Sequence, residues 1–180
     1  MNGKINAFIS NKLYSKIPVG GIRNRLYSVL LNAENIKIGW NIHIDNINNI
    51  FIKRNVLINS WCKFITGGSP KDIAITIGEN SFLGPNCLLT TVTHEIGNSD
   101  QRAGVNLYKS IKIDEGCWLG ANVTVLPGVT IGKGCIVGAG SLVNKSLEEN
   151  YMYAGVPARK IKYLGDKWRN TNNVMRSIFI

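Results

Sequence analysis

Histidine is almost absent from this chain of 180 residues, with only His43 and His94 present. Two imidazoles cannot build a three-histidine metal site within one chain. Cysteine is scarce too: there are four, with no CxxC pair among them. That excludes a disulfide scaffold and argues against zinc or redox work. Charged residues make up only 18% against 44% apolar, so the chain is globular rather than disordered. No apolar run approaches the ~20 residues of a membrane span. Lys4 is followed by no apolar leader segment, so a cytoplasmic location is expected. The length is that of one domain.

Acid is missing where base is plentiful. Residues 1–33 carry Lys4, Lys12, Lys16, Arg23 and Arg25 with no acid, giving +5. Residues 145–180 add +4, and the stretch between adds only +1. Anionic ligands and membrane surfaces are compatible with this charge. Nucleic acid is not expected, because the basic ends lack interleaved aromatics and no nucleic-acid motif is present.

What is abundant is a rhythm. Ile77, Leu83 and Leu89 are spaced by six, and Ile113, Leu119, Val125, Ile131, Val137 and Val143 continue in the same phase. One residue later come Gly78, Gly84, Gly120, Gly132 and Gly138. Four residues later come Ser81, Cys87, Thr93, Cys117, Val123, Val129, Cys135 and Ser141. Period six is neither a helix nor a plain alternating strand. It suits a short strand and a tight corner, repeated, with glycine where φ must be positive. Three such units close a triangular coil, and stacked coils bury one continuous core. On this reading Cys62, Cys87, Cys117 and Cys135 are small interior residues and not nucleophiles.

The rhythm breaks at TGGSPKD (66–72) and over 94–110, where the phase demands aliphatics at Glu95 and Gln101. The second break is polar and reads as a loop thrown out of the coil, the kind of excursion that carries function. Ile22, Leu26, Val29, Leu30 and Ala33 have helical spacing, with Arg23 and Arg25 off that face, and predict a short amphipathic capping helix. A C-terminal helix is expected around 166–177. The chain thus divides into an N-terminal cap (1–35), the coil (36–147) with its loop (94–110), and a C-terminal cap (148–180).

IGENSFLGPNCLLTTVTH, then IKIDEGCWLGANVTVLPGVTIGKGCIVGAGSLVNK and AGVPARKIK, resemble the hexapeptide-repeat acyltransferases. Within that family the chain looks closest to the galactoside, maltose and capsule or lipopolysaccharide O-acetyltransferases. The resemblance implies an all-β, left-handed parallel β-helix, a homotrimer, and acetyl-coenzyme A as co-substrate, with no metal. It implies direct transfer of acetyl to a saccharide hydroxyl, on a surface polysaccharide or its precursor.

A hydroxyl needs a base to take its proton as it attacks, and His94, opening the polar loop, is the candidate. The tetrahedral intermediate needs a donor, and the resemblance points to the N–H of Ala121. It also places Trp118, Gly120, Ala121 and Ala139 along the pantetheine groove. Asn144 and Lys145 match a Thr-Lys pair of the family, with Asn in place of Thr. Arg159 and Lys162 match two basic residues near the nucleotide phosphates, with Lys162 standing where an Arg-type contact is usual. On the acceptor side Asn59 and Asp72 are the nearest matches, although loop lengths differ and either could cap a turn. Arg102 either closes over the substrate or is solvated. His43 lies in an ordinary repeat and reads as a surface residue.

The alternative keeps the fold and changes the acceptor to the amine of a nucleotide-linked amino sugar. A metal-dependent lyase on the same coil lacks the histidines. A non-catalytic scaffold leaves the His94 loop and AGVPARK without a role.

Overall fold

The computed structural model describes residues 16–165. All nine aliphatics of the repeating column are fully buried, at 0% exposure. They sit in strands of two or three residues that stack in parallel on three faces. Face A runs β1 (Lys37–Ile38), β4 (Leu57–Ile58), β7 (Phe82–Leu83), β12 (Trp118–Leu119), β15 (Ile136–Val137) and β17 (Tyr151–Ala154). Face B runs β2 (His43–Ile44), β5 (Lys63–Ile65), β8 (Leu88–Thr90), β13 (Thr124–Val125) and β16 (Leu142–Val143). Face C runs β3 (Ile50–Ile52), β6 (Ile75–Ile77), β11 (Ile111–Ile113) and β14 (Thr130–Ile131). The chain visits A, B and C in turn, forming the left-handed parallel β-helix that the resemblance implies.

The corner glycines serve a different purpose from the one expected. Gly78, Gly84, Gly120, Gly132 and Gly138 do not have positive φ. Each lies against the next coil instead: a Cβ on Gly84 would meet the Gly120 carbonyl carbon at 2.6 Å, and one on Gly120 would meet Ala139 N at 2.6 Å. Stacked strands stand only about 4.8 Å apart, and a bare Cα permits that approach. The left-handed residue comes two positions later, as Asn80, Asn86, Gly116, Asn122, Gly128, Gly134 and Gly140. Asparagine tolerates that conformation and also ladders between coils, with Asn86 Nδ2 donating to Asn122 Oδ1 at 2.6 Å.

The small interior column is as predicted at Ser81, Cys87, Cys117, Val123, Val129, Cys135 and Ser141, all buried, and Cys62 joins it. Thr93 does not, because the chain has already left the coil. Thr91, at 0% exposure, occupies the interior there.

The excursion is not an irregular loop. It is an antiparallel ribbon, β9 (Val92–Ile96) paired with β10 (Ala103–Tyr108). Its root is the Val92–Tyr108 pair, so the coil resumes beside the point where it was interrupted.

The ends are capped. Helix α1 (Gly20–Leu31) covers the lower end, but its inner side is Arg23, Tyr27 and Leu31. Ile22 and Val29, predicted to face inward, are 54% and 80% exposed. Arg23 goes inward because β1 is an edge strand with unpaired backbone groups. Its Nε donates to Ile38 O at 2.7 Å, while Ile38 N–H donates to Asn24 Oδ1 at 2.9 Å. At the upper end β18 (Arg159–Tyr163) pairs antiparallel with β17. The helix expected over 166–177 lies outside the described residues. No helix among the described residues is long and apolar enough to cross a membrane.

Candidate active site

The predicted site residues lie along two edges of the prism. On the edge between faces A and B, the turn after each A strand stacks on the one below. Gly140 N–H donates to Ala121 O at 2.8 Å, so Gly120, Ala121 and Ala139 form one contiguous strip. Trp118 stands beside it on the outer side of face A, edge-on to Phe82 at 6.4 Å between ring centroids. Arg159 pairs with Ala154, whose Cβ lies 2.9 Å from where Gly138 would carry its own, so it borders the same strip. Lys162 pairs with Met152 on the same hairpin. Between them, Lys160 is held by Glu148 at 2.9 Å and lies 4.0 Å over the Tyr151 ring.

That edge has a distinctive pattern of backbone donors. In the lowest coil Trp40 N–H is taken by Ser60 Oγ. In the second, Ser60 N–H is taken by Asn59 Oδ1 at 2.8 Å. In the third, the equivalent residue is Pro85, which has no N–H. At the upper end Gly155 N–H is taken by Ser141 Oγ. At this position of the turn only Ala121 and Ala139, between these, have N–H groups with no hydrogen bond among the described residues. The edge thus offers two adjacent unused donors, at two of the residues expected to line the cofactor groove.

Asn59 lies on this A/B edge and caps its own turn, one of the two outcomes left open for it. It also lines a shallow cavity of about 280 Å³ with Arg23, Asn24 and Lys37. A cavity of about 1040 Å³ between α1 and the lower end of face C holds none of the predicted site residues.

The edge between faces B and C carries the rest. His94 is exposed on β9, opposite Asn106 of β10, and its imidazole has no hydrogen bond among the described residues. Asn144 and Lys145 follow β16 on this edge, both exposed. Arg102 lies near the ribbon tip, its Nη1 donating to Gly97 O at 3.2 Å. Asp72 is exposed in the turn leading to face C. Within one chain His94 and Ala121 therefore do not share an edge. Face B separates them by roughly five extended residues, about 17 Å.

One feature escaped the sequence reading. His43 is not an isolated surface residue: its Nε2 lies 2.7 Å from Asp45 Oδ1. Asp45 Oδ2 accepts from Thr66 N–H at 3.2 Å and Gly67 N–H at 3.1 Å, at the foot of the ribbon. The signal was available in the HID spacing, which puts both side chains on the outer side of one strand.

Residues 110–145 match the model for the bacterial transferase hexapeptide (six repeats), and 74–93 match the hexapeptide repeat of succinyl-transferase. A galactoside O-acetyltransferase of Lactococcus lactis is 39% identical over 53% of this chain and 46% of its own length. A protein named as an O-acetyl transferase of lipopolysaccharide biosynthesis, from Escherichia coli K12, is 34% identical over 72% of this chain and 69% of its own. A hexapeptide-repeat acetyltransferase of Vibrio cholerae O1 biovar eltor, solved with acetyl coenzyme A, superposes with a TM-score of 0.79 at 25% identity, covering 91% of this chain and 87% of that one. The first curated relatives are longer, and the chain spans 46–64% of their length. The repeat, the donor strip and these likenesses agree: the chain belongs to the hexapeptide-repeat transferase family.

Proposed function

We propose that this chain is an acetyl-coenzyme A-dependent O-acetyltransferase, transferring acetyl directly to a saccharide hydroxyl. The observation that carries the reading is the pair of unused N–H donors at Ala121 and Ala139, where the equivalent position of every other turn on that edge offers none among the described residues. A thioester carbonyl held there has a donor aimed at the oxygen that becomes negative in the tetrahedral intermediate. His94 takes the hydroxyl proton and returns it to the departing thiolate. Pantetheine lies against Trp118, Gly120 and Ala139, Asn144 and Lys145 border it, and Arg159 and Lys162 meet the phosphates. Asn59, Asp72 and Arg102 contribute on the acceptor side.

Because His94 and Ala121 occupy different edges, the site is completed by a second copy, in a homotrimer whose adjoining prisms bring the two edges together. A surface polysaccharide or its precursor is the proposed acceptor, in the cytoplasm, and the relatives named for galactoside and lipopolysaccharide chemistry support a saccharide. The basic N-terminus would attract an anionic polymer or the inner membrane surface where such polymers are built. Arg23 is less available to it than the sequence suggests, since its guanidinium is internal and donates to Ile38 O.

The test is a screen of saccharide acceptors with acetyl-coenzyme A, with NMR of the product, repeated on His94→Ala. Turnover should fall by roughly 100-fold or more while acetyl-coenzyme A still binds. Near-normal turnover in the variant removes His94 from the mechanism.

A further inference from the structure

The proposed base stands on a two-stranded ribbon outside the core, so something must orient it. A polar chain climbs to it from the coil below. Asp45 pins the Thr66–Gly67 turn through both N–H groups. The carbonyl of that turn, Gly67 O, accepts from the Tyr108 hydroxyl at 3.2 Å. The turn also meets the ribbon root closely: a Cβ on Gly67 would lie 2.8 Å from Val92 Cγ1. Tyr108 is two residues from Asn106, on the same side of β10, and Asn106 Nδ2 donates to the Tyr108 oxygen at 3.0 Å.

The direction of that last bond follows from proton counting. A phenol has one hydrogen, and Tyr108 gives it to Gly67 O. Its oxygen can then only accept from Asn106, which fixes which end of the amide is NH2. Asn106 Oδ1 is left facing away, with no hydrogen bond among the described residues. Asn106 is also the direct cross-strand partner of His94. Such partners share one side of a ribbon, with Cβ atoms about 5 Å apart. A free amide oxygen and a free imidazole therefore stand side by side.

We propose that Asn106 is the positioning residue of His94: its Oδ1 accepts one imidazole N–H and leaves the other nitrogen unprotonated toward the acceptor hydroxyl. This rests on the reading of His94 as the base. A base must present a lone pair, and the tautomer is set by what the opposite nitrogen bonds. An amide oxygen does this without introducing a second titrating group.

The test is long-range ¹⁵N–¹H NMR of the imidazoles, in the free protein and with coenzyme A bound. Only two imidazoles contribute, and His43→Ala identifies the other. In the wild-type protein His94 should show one dominant tautomer in at least the bound state. Asn106→Ala should give a mixture, Tyr108→Phe a partial one, and Asn106→Asp, which keeps an acceptor, should restore a single form. In kinetics Asn106→Ala should lower kcat roughly tenfold, part of the 10²–10⁴ that a base supplies, with KM for acetyl-coenzyme A unchanged. It should cost nothing further in a His94→Ala background. A mixed tautomer in the wild-type protein in both states, or one indifferent to Asn106→Ala, overturns the proposal. Retained turnover in His94→Ala removes the base reading instead, and the NMR result stands apart from it.

Discussion

Cys117 donates its thiol hydrogen to Gly132 O of the next coil at 3.2 Å, and the other three cysteines make equivalent bonds. Burial pushes the Cys117 thiol up to about 12. Contact with Cys87, then burial, also raises Cys62. Enclosed thiols held protonated, as Cys62 and Cys117 are, make poor nucleophiles, which fits direct transfer without an acyl-cysteine. The folded state favours protonated Cys117, so that stabilisation is intact below the ordinary thiol value near 9 and fades as pH rises toward 12. Thermal melts from pH 7 to 11 should fall above pH 9, and Cys117→Ala should flatten that fall while costing roughly 1 kcal/mol at neutral pH. Ala121 gives a sharper test at the same scale. Pro85 already occupies the equivalent turn one coil below, so the backbone there accepts proline. Ala121→Pro should fold normally and lose roughly 100-fold in kcat, because a ring carbon replaces the N–H. Unchanged kcat in a folded variant would mean that the intermediate finds its donor elsewhere.

The corner is the element that the sequence disclosed least accurately. The glycine column was visible, but its cause lies in the neighbouring coil, and a linear pattern carries no inter-coil distance. The asparagine column was equally visible at Asn80, Asn86 and Asn122, yet its meaning depends on φ. Trp61 departs from that column: it occupies the left-handed position at φ 63° and is 53% exposed. A bulky residue there costs about 1–2 kcal/mol that asparagine largely avoids. Trp61→Asn should therefore raise stability by about 1 kcal/mol, a few degrees in Tm, with little burial lost. A lower Tm would show that the indole is held by contacts that outweigh the strain. The ribbon was legible as a departure but not as strands. Neither side of it faces the core, and Ile96 and Val105 are 89% and 71% exposed, so the alternation that marks a half-buried strand never develops. Helix α1 misled in the opposite way: an arginine was needed inside to satisfy the edge of β1, and no apolar count announces that.

Across the whole molecule, nine buried aliphatics at one spacing were enough to read the coil, and the motifs that follow them pointed to both edges. In the proposed trimer the meeting of the edges is a property of more than one chain, which the repeat of a single chain does not display. Threefold assembly predicts a particle of about 60 kDa from chains of 19.8 kDa. It also predicts complementation. His94→Ala and Ala121→Pro, each inactive alone, should recover about one quarter of wild-type activity when refolded together in equal amounts, since one site in four draws both intact groups. No recovery in mixed particles would place both groups within one chain.

The pairing of Val92 with Tyr108 at the root of the ribbon has a consequence for inheritance. The chain departs and returns at a single doorway, and the coils on either side stay in register, Leu89 with Val125 and Ile77 with Ile113. Nothing in the core records how long the ribbon is or what it contains. The two halves of the proposed chemistry can then descend separately: the edge proposed for the acyl donor is tied to the repeat, while the ribbon beyond the His94–Asn106 pair is free to be lengthened, shortened or exchanged. On the proposed function, new acceptors would be recruited by rewriting one insert, with folding and the acyl donor site left as they were.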